Sequence, residues 1–301
     1  MVTAGAWKLS AWSDEVRRAL LLFVRERFSP LASVPMAVAL YLGPARLLRP
    51  GPGQAAIGVV TVFLMLLSLR IADDLDDIDK DRRSHPERGL PSGRIGARPL
   101  RRAGAWLAVL TLLLNISEPA RLLFLCILSA HYLLYFGRLK RALPRLVRPF
   151  ASNLVFGGAV VYAVTPTSSW AALTLSVLGV APWLGLFSWL GAVAHEYAHN
   201  VMPPAADRAD GPGYATILGA RGTALAASVL FLGAAAAGGA LWLALERPEA
   251  FGCTLLVTSA ALAFLLVRLV ARPTPELARP LYVAGMAFFL LPLLALVPYQ
   301  L

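Results

Sequence analysis

The chain has 301 residues, 58% hydrophobic and only 15% charged, with a mean hydropathy of +0.66. A soluble domain carries about a quarter charged residues, so a water-soluble globular fold is excluded and the bilayer is part of the solvent. The net charge of +11 does not indicate nucleic acid, because the basic residues fall between apolar runs, where they orient a chain and meet anionic headgroups.

The N-terminal segment carries Lys8, Asp14, Glu15, Arg17 and Arg18, then a short apolar run closed by Arg25, Glu26 and Arg27. It lacks a signal-peptide cleavage pattern, and residues 1–28 are expected to form an interfacial helix leading into the first span. Nine apolar segments follow, near 30–47, 54–72, 103–117, 119–136, 147–166, 171–194, 222–245, 250–270 and 280–298. Backbone groups stay unpaired in lipid only at great cost, so these segments are predicted to be helices. The expected fold is all-α: a polytopic membrane protein of about nine transmembrane helices in one bundle, forming a single domain over 1–301. Cys126 and Cys253 lie inside apolar runs and are expected to be packing residues. Residues 234–240 are only Ala and Gly, which suits close helix approach. With the N-terminus inside, the basic residues concentrate at 73–102, 137–148, 195–221 and 268–279, and only Arg46, Arg49, Arg121 and Arg247 fall outside. That bias predicts a cytoplasmic N-terminus, an external C-terminus and an integral protein of a prokaryotic inner membrane, with every acidic cluster on the cytoplasmic side.

Residues 73–81 read Asp-Asp-Leu-Asp-Asp-Ile-Asp-Lys-Asp and hold six of the chain's nine Asp residues. In a continuous helix Asp74, Asp77 and Asp81 would share one narrow face. Carboxylates gathered there repel one another unless a cation joins them, and Mg²⁺ characteristically bridges one or two carboxylates to substrate phosphates. Cations suited to phosphate lie nearby. Arg88, Lys140 and Arg141 are the expected diphosphate ligands, and the remaining Arg and Lys residues are orientation signals.

Residues 73–95 continue through His85-Pro86-Glu87-Arg88-Gly89-Leu90-Pro91-Ser92-Gly93-Arg94-Ile95. This stretch resembles the first signature of the UbiA-type intramembrane prenyltransferases, N-D-x-x-D-x-x-x-D followed by P-x-R-P-L-x-S-G-x-I. Asp74, Asp77 and Asp81 fall on its aspartates, Asp73 stands for the Asn and Gly89 for the second Pro. Phe136-x-x-x-Lys140 resembles the family's Y-x-x-x-K, with Tyr135 one residue off register. The second motif, D-x-x-x-D, is matched by Glu196-x-x-x-Asn200, with Asp207 and Asp210 following, and Ala215 to Gly219 resembles its T-x-x-x-x-G ending. Gly96-Ala97-Arg98 and Gly219-Ala220-Arg221 recur after the two motifs, a hint of duplication.

The resemblance implies a Mg²⁺-dependent transfer of an isoprenoid group from a prenyl diphosphate to a hydrophobic acceptor, an aromatic or quinone-precursor ring, amid membrane lipids. It implies Asp74, Asp77, Asp81, Glu196 and Asn200 as metal ligands, the first four as catalytic. Asn153, Ser152 and Tyr135 are expected near the acceptor, and Phe63, Phe156, Tyr162, Phe187 and Trp189 are candidates to face an allylic cation. A related terpene cyclase, capturing the cation within the same chain, is one alternative. Another is an intramembrane zinc protease, because His195-Glu196-x-x-His199 fits H-E-x-x-H, with Asp74 or Asp210 as third ligand. His131, near mid-span, is expected to be packed or helix-bonded.

Overall fold

The computed structural model describes residues 3–165, 175–201 and 214–300. The expected ligands Asp207 and Asp210 and the start of the sixth apolar segment lie outside them. The described residues are helical with short connections: α1 (Thr3–Arg27), α2 (Pro30–Ala45), α3 (Pro52–Asp76), α4 (Ile78–Ser84), α5 (Ala97–Leu113), α6 (Pro119–Leu134), α7 (Lys140–Ala142), α8 (Arg148–Ser152), α9 (Leu154–Ala163), α10 (Leu175–His199), α11 (Tyr214–Ala244), α12 (Glu249–Ala271) and α13 (Pro275–Leu294), closed by a 3₁₀ turn Val297–Gln300. Helices α2, α3, α6 and α13 each start with a proline in the first turn, where its missing N–H has no helical partner to lose.

All nine apolar segments are helical where described, but they are not equally long. Six helices are long and apolar enough to cross a membrane, and a seventh span results if α1 and α2, bent by 85° at residues 28–29, count as one. Helix α2 has 16 residues and α5 has 17, and the 147–166 segment is broken at Asn153 between α8 and α9. The chain is therefore a polytopic all-α membrane protein with six to seven spans by length among the described residues.

Helix α10 is the central member and packs on α9, α11 and α13, while α2 packs on α3, α9 and α13. The core beside α10 is aromatic: Phe187 lies 5.7 Å from Phe288 and 6.2 Å from Phe251, and Phe231 lies 5.4 Å from Phe288. The Ala-Gly run of α11 makes room for it, since a Cβ on Gly238 would stand 3.1 Å from both Phe187 and Leu255. Small residues let backbones approach where lipid supplies no hydrophobic drive between helices. Helix α6 is the loosely held one, touching α5 and α9 only lightly.

One charge is wholly buried at the end of the bundle where α6 begins. Arg121, counted on the outer side by the charge distribution, is 0% exposed. It pairs with Glu118 (2.8 Å), donates to the Thr165 carbonyl (3.1 Å) and lies over the Tyr41 and Tyr162 rings. Tyr162 in turn donates to Asn115, which donates to Thr61. Removing one member of such a pair leaves a stranded charge. Arg121→Met is expected to lower unfolding stability by about 3–5 kcal/mol, read as a loss of thermal stability in detergent, against a change of within about 0.5 kcal/mol for exposed Arg101→Met.

Candidate active site

The acidic stretch is not one helix. Helix α3 ends at Asp76, Asp77 adopts φ −88° and ψ 8°, and α4 starts anew at Ile78. The expected single face of Asp74, Asp77 and Asp81 is thereby corrected: the break turns successive carboxylates toward different cations. Asp74, 5% exposed, is gripped by Arg27 Nε (2.7 Å) and Nη2 (3.3 Å) from α1 and by Arg70 Nη2 (2.9 Å). Asp81, 8% exposed, receives Arg88 Nη1 at 2.8 Å. Asp73, Asp76 and Asp77 converge on one ammonium, Lys140 Nζ, at 3.4, 2.8 and 2.8 Å. A half-buried charge of that kind persists only when matched.

Lys140 is aimed by an irregular turn. Residues Tyr135–Leu139 form a π-helical turn closed by the Lys140 N–H on the Tyr135 carbonyl. That five-residue step places Tyr135, rather than Phe136, one turn before Lys140, which resolves its register offset against Y-x-x-x-K; single π turns of this kind recur at functional sites. Tyr135 is buried and lies within reach of the charges of Lys140, Asp73 and Glu196. Phe136 lies under the Lys140 ammonium at 5.6 Å. Arg141 is exposed and makes no ion pair among the described residues.

Glu196 stands near the C-terminal end of α10, deep enough to need donors. Asn153 Nδ2 supplies one to Oε2 (2.5 Å) and the Tyr214 hydroxyl another to Oε1 (2.8 Å). Asn153 is free for this because it sits in the break between α8 and α9, and Tyr214 is held by stacking on Tyr197 at 4.9 Å. Asp73 and Lys140 are near enough to act on the charge of Glu196, so the two acidic motifs share one rim. Asn200 turns its amide nitrogen onto the Glu196 carbonyl at 2.8 Å, closing the helix, which leaves its Oδ1 as the atom able to ligate. Gly219 in the T-x-x-x-x-G-like ending takes φ +72° at a kink in α11, a conformation that suits glycine.

The loop after α4 is pinned to α1. The Gly89 N–H donates to Glu26 (2.5 Å), Ile95 N–H to the Gly89 carbonyl (2.8 Å), and Arg94 to the Glu87 carbonyl (2.9 Å) and, at 3.4 Å, to Glu26. A Cβ on Gly89 would lie 2.6 Å from the Glu26 carboxylate, so the glycine in place of the signature's second proline admits the α1 contact. Helix α1 thus contributes Glu26 and Arg27 to the site, beyond its expected role of lying on the membrane.

An apolar groove of about 510 Å³ runs between α6, α9 and α10, walled by Ile127, Leu128, Gly158, Gly185 and Trp189, with His131 toward its rim end. Ile127 is 60% exposed, so the groove opens sideways into the apolar belt. Of the aromatic candidates only Trp189 lines it. Phe63 packs on Phe28, Phe156 on Phe289 and Phe187 in the α10 core, while Tyr162 belongs to the Arg121 cluster.

Among the described residues, no three His, Cys, Asp or Glu side chains sit together as a ready-made ion site. The zinc-protease arrangement finds no third ligand there. His195 and His199 lie against Tyr282 at 4.9 and 5.2 Å, Glu196 is engaged by Asn153 and Tyr214, and Asp74 is engaged by Arg27 and Arg70. The rim does supply the oxygen donors that a hard divalent cation takes, but its carboxylates are engaged by cations, Asp73, Asp76 and Asp77 by Lys140, Asp74 by Arg27 and Arg70, and Asp81 by Arg88. Five residues of the site were not singled out from sequence: Glu26, Arg27, Arg70, Asp76 and Tyr214. Arg27 is distant in sequence from both motifs, and Tyr214, just before the second motif's ending, matches no motif position; only their packing reveals them.

The profile of the UbiA prenyltransferase family matches residues 32–293. No curated protein matches the chain. Two solved structures share its fold. One, from work on digeranylgeranylglyceryl phosphate synthase in membranes, is 18% identical, covers 94% of this chain and 99% of its own, and has a TM-score of 0.67. The apo structure of a UbiA homologue from Aeropyrum pernix K1 is 19% identical, covers 89% and 98%, and has a TM-score of 0.69. The acidic rim, the laterally open groove and the match over most of its length place the chain in the UbiA prenyltransferase family, as a protein of the intramembrane prenyltransferase type.

Proposed function

We propose that this chain is a Mg²⁺-dependent prenyltransferase that moves an isoprenoid group from an allylic prenyl diphosphate to a hydrophobic acceptor, an aromatic or quinone-precursor ring. The observation that carries this reading is the convergence of Asp73, Asp76 and Asp77 on Lys140 Nζ, within electrostatic range of Glu196. This is a charged rim that both a divalent cation and a diphosphate can enter by exchanging partners. Asp74, Asp77, Asp81 and Glu196 would hold Mg²⁺, whose charge would neutralise the diphosphate leaving group. Arg88 and Lys140, released from their carboxylates, bind the phosphoryl oxygens and stabilise the leaving group. Asp77 lies in the break between α3 and α4 and is the most exposed of the three signature aspartates, so it is the one freest to turn from its cation.

The groove supports the second half of the reading. Its apolar walls keep water from the developing allylic cation, and Trp189 presents the aromatic face nearest that path. Asn153 holds Glu196, and Tyr135 stands between groove and rim. An external acceptor is favoured over the terpene-cyclase alternative because the groove opens to lipid beside the site, and the zinc-protease alternative is not carried further. In this reading residues 1–301 form one domain, α1 lies along the cytoplasmic surface of a prokaryotic inner membrane, and the carboxylate rim faces the cytoplasm.

Asp77→Asn is the cleanest test, since Asp77 is 32% exposed and, among the described residues, its carboxylate pairs with Lys140 alone. In membranes given radiolabelled geranyl, farnesyl and longer diphosphates, it is expected to lower diphosphate release by about 10²–10³-fold while thermal stability is kept; undiminished release defeats the assignment. Chelation with EDTA is expected to stop release in the parent protein, and added Mg²⁺ to restore it. Release that persists in EDTA would exclude a metal-dependent step.

A further inference from the structure

We propose that His131 is the base that takes the proton from the acceptor, and that the α6–α9–α10 groove is where that acceptor binds. The inference rests on the prenyltransferase reading and names a residue and a role within it. Transfer to carbon or oxygen needs such a base. The donor C1–O bond breaks with its electron pair going to diphosphate, the acceptor atom supplies the pair for the new bond to C1, and the acceptor's proton must leave.

The break at Asn153 sets up the residue. It separates α8 from α9, so the carbonyls of Ala151 and Ser152 lack their usual helical donors. The Val155 N–H, which would have served Ala151, goes to the Tyr132 hydroxyl at 2.6 Å, and the Phe156 N–H goes to the Asn153 carbonyl. Two consecutive residues of α6 take up the stranded carbonyls. Tyr132 donates its hydroxyl to Ser152 (2.8 Å), and His131 Nε2 lies 3.1 Å from the Ala151 oxygen. A carbonyl only accepts, so in the neutral ring Nε2 carries the hydrogen and Nδ1 holds the basic lone pair. Nδ1 makes no hydrogen bond among the described residues, and the ring lines the groove.

Its neighbours fit the task. His131 is the one titratable side chain among the residues that line the groove. The carboxylates of the rim face cations, and both oxygens of Glu196 accept hydrogen bonds. The His131 ring stacks on Tyr135 at a centroid distance of 6.3 Å, and Tyr135 lies within reach of Lys140, Asp73 and Glu196. The imidazole is thus one ring away from the diphosphate end, on the side from which a lipid-soluble acceptor arrives. The acceptor class follows: an apolar molecule carrying an acidic C–H or O–H, such as a phenol. After transfer, the imidazolium returns its proton to water.

The test separates a capping histidine from a basic one. In His131→Gln the side-chain amide retains a donor for the Ala151 carbonyl but no basic nitrogen. Membranes carrying each protein receive radiolabelled geranyl, farnesyl and longer diphosphates and a panel of lipid-soluble phenols, and both diphosphate release and labelled phenol are measured. His131→Gln is expected to lower kcat for phenol labelling by about 10²-fold with the donor KM unchanged. In His131→Gly, added imidazoles are expected to restore labelling at rates that rise with their basicity. Labelling by His131→Gln within about threefold of the parent overturns the inference, as does an absence of imidazole rescue or a donor KM that rises in step with the loss. A parent that releases diphosphate yet labels no phenol overturns it too and leaves the ion site standing; a parent that releases none defeats the prenyltransferase reading itself.

Discussion

The site depends on the meeting of three carboxylates and one ammonium, Asp73, Asp76 and Asp77 around Lys140. Neither side is stable at the edge of a bilayer alone. The acidic residues would repel one another and the lysine would be a stranded charge; together they satisfy each other at the junction of α3 and α6. The same logic repeats on either side, where Arg27 and Arg70 hold Asp74 and Arg88 holds Asp81. Under the proposed function these ion pairs are what a metal and a diphosphate would replace, carboxylates going to the metal and cations to the phosphates. Such binding would exchange partners without exposing an uncompensated charge, which keeps desolvation low.

Much of this was legible in the sequence, and the reason is physical. Helices in lipid must be long, apolar and internally hydrogen-bonded, so nine apolar segments announce the class of fold. Six Asp residues in nine positions at a span's end announce function, because charge there is costly. The identity of Tyr135 as the residue one turn from Lys140 was only half legible: the sequence offers two aromatic residues, and the π turn that chooses between them leaves no mark on the apolar pattern. The burial of Arg121 was not legible for a related reason. The charge pattern counts it on the outer side of the membrane and is silent on packing, and here tertiary packing supplies Glu118, the Thr165 carbonyl and two tyrosine faces that bury the charge. Arg27 escaped notice because it belongs to the site only through a contact with Asp74 far away in sequence, and Tyr214 because no motif position marks the hydroxyl that reaches Glu196.

The breaks in the helices account for both the legible and the hidden parts. At Asp77, at Tyr135–Leu139, at Asn153 and at Gly219 the regular backbone is interrupted, and contacts among their neighbours place all four at the same rim. Lys140 reaches Asp77, Asn153 reaches Glu196, and Tyr214, five residues before Gly219, reaches Glu196 as well. Irregular backbone at a membrane protein's edge survives only where side chains or water satisfy the freed groups. Here side chains satisfy them: Tyr132 and His131 take the carbonyls freed at Asn153, and Glu26 takes the Gly89 N–H of the loop after α4. Each repair aims a polar side chain that a continuous helix would have pointed elsewhere. The irregularities that make the rim hard to read as a helical pattern are thus what bring two sequence-distant acidic motifs, one lysine and one histidine to the mouth of a single groove.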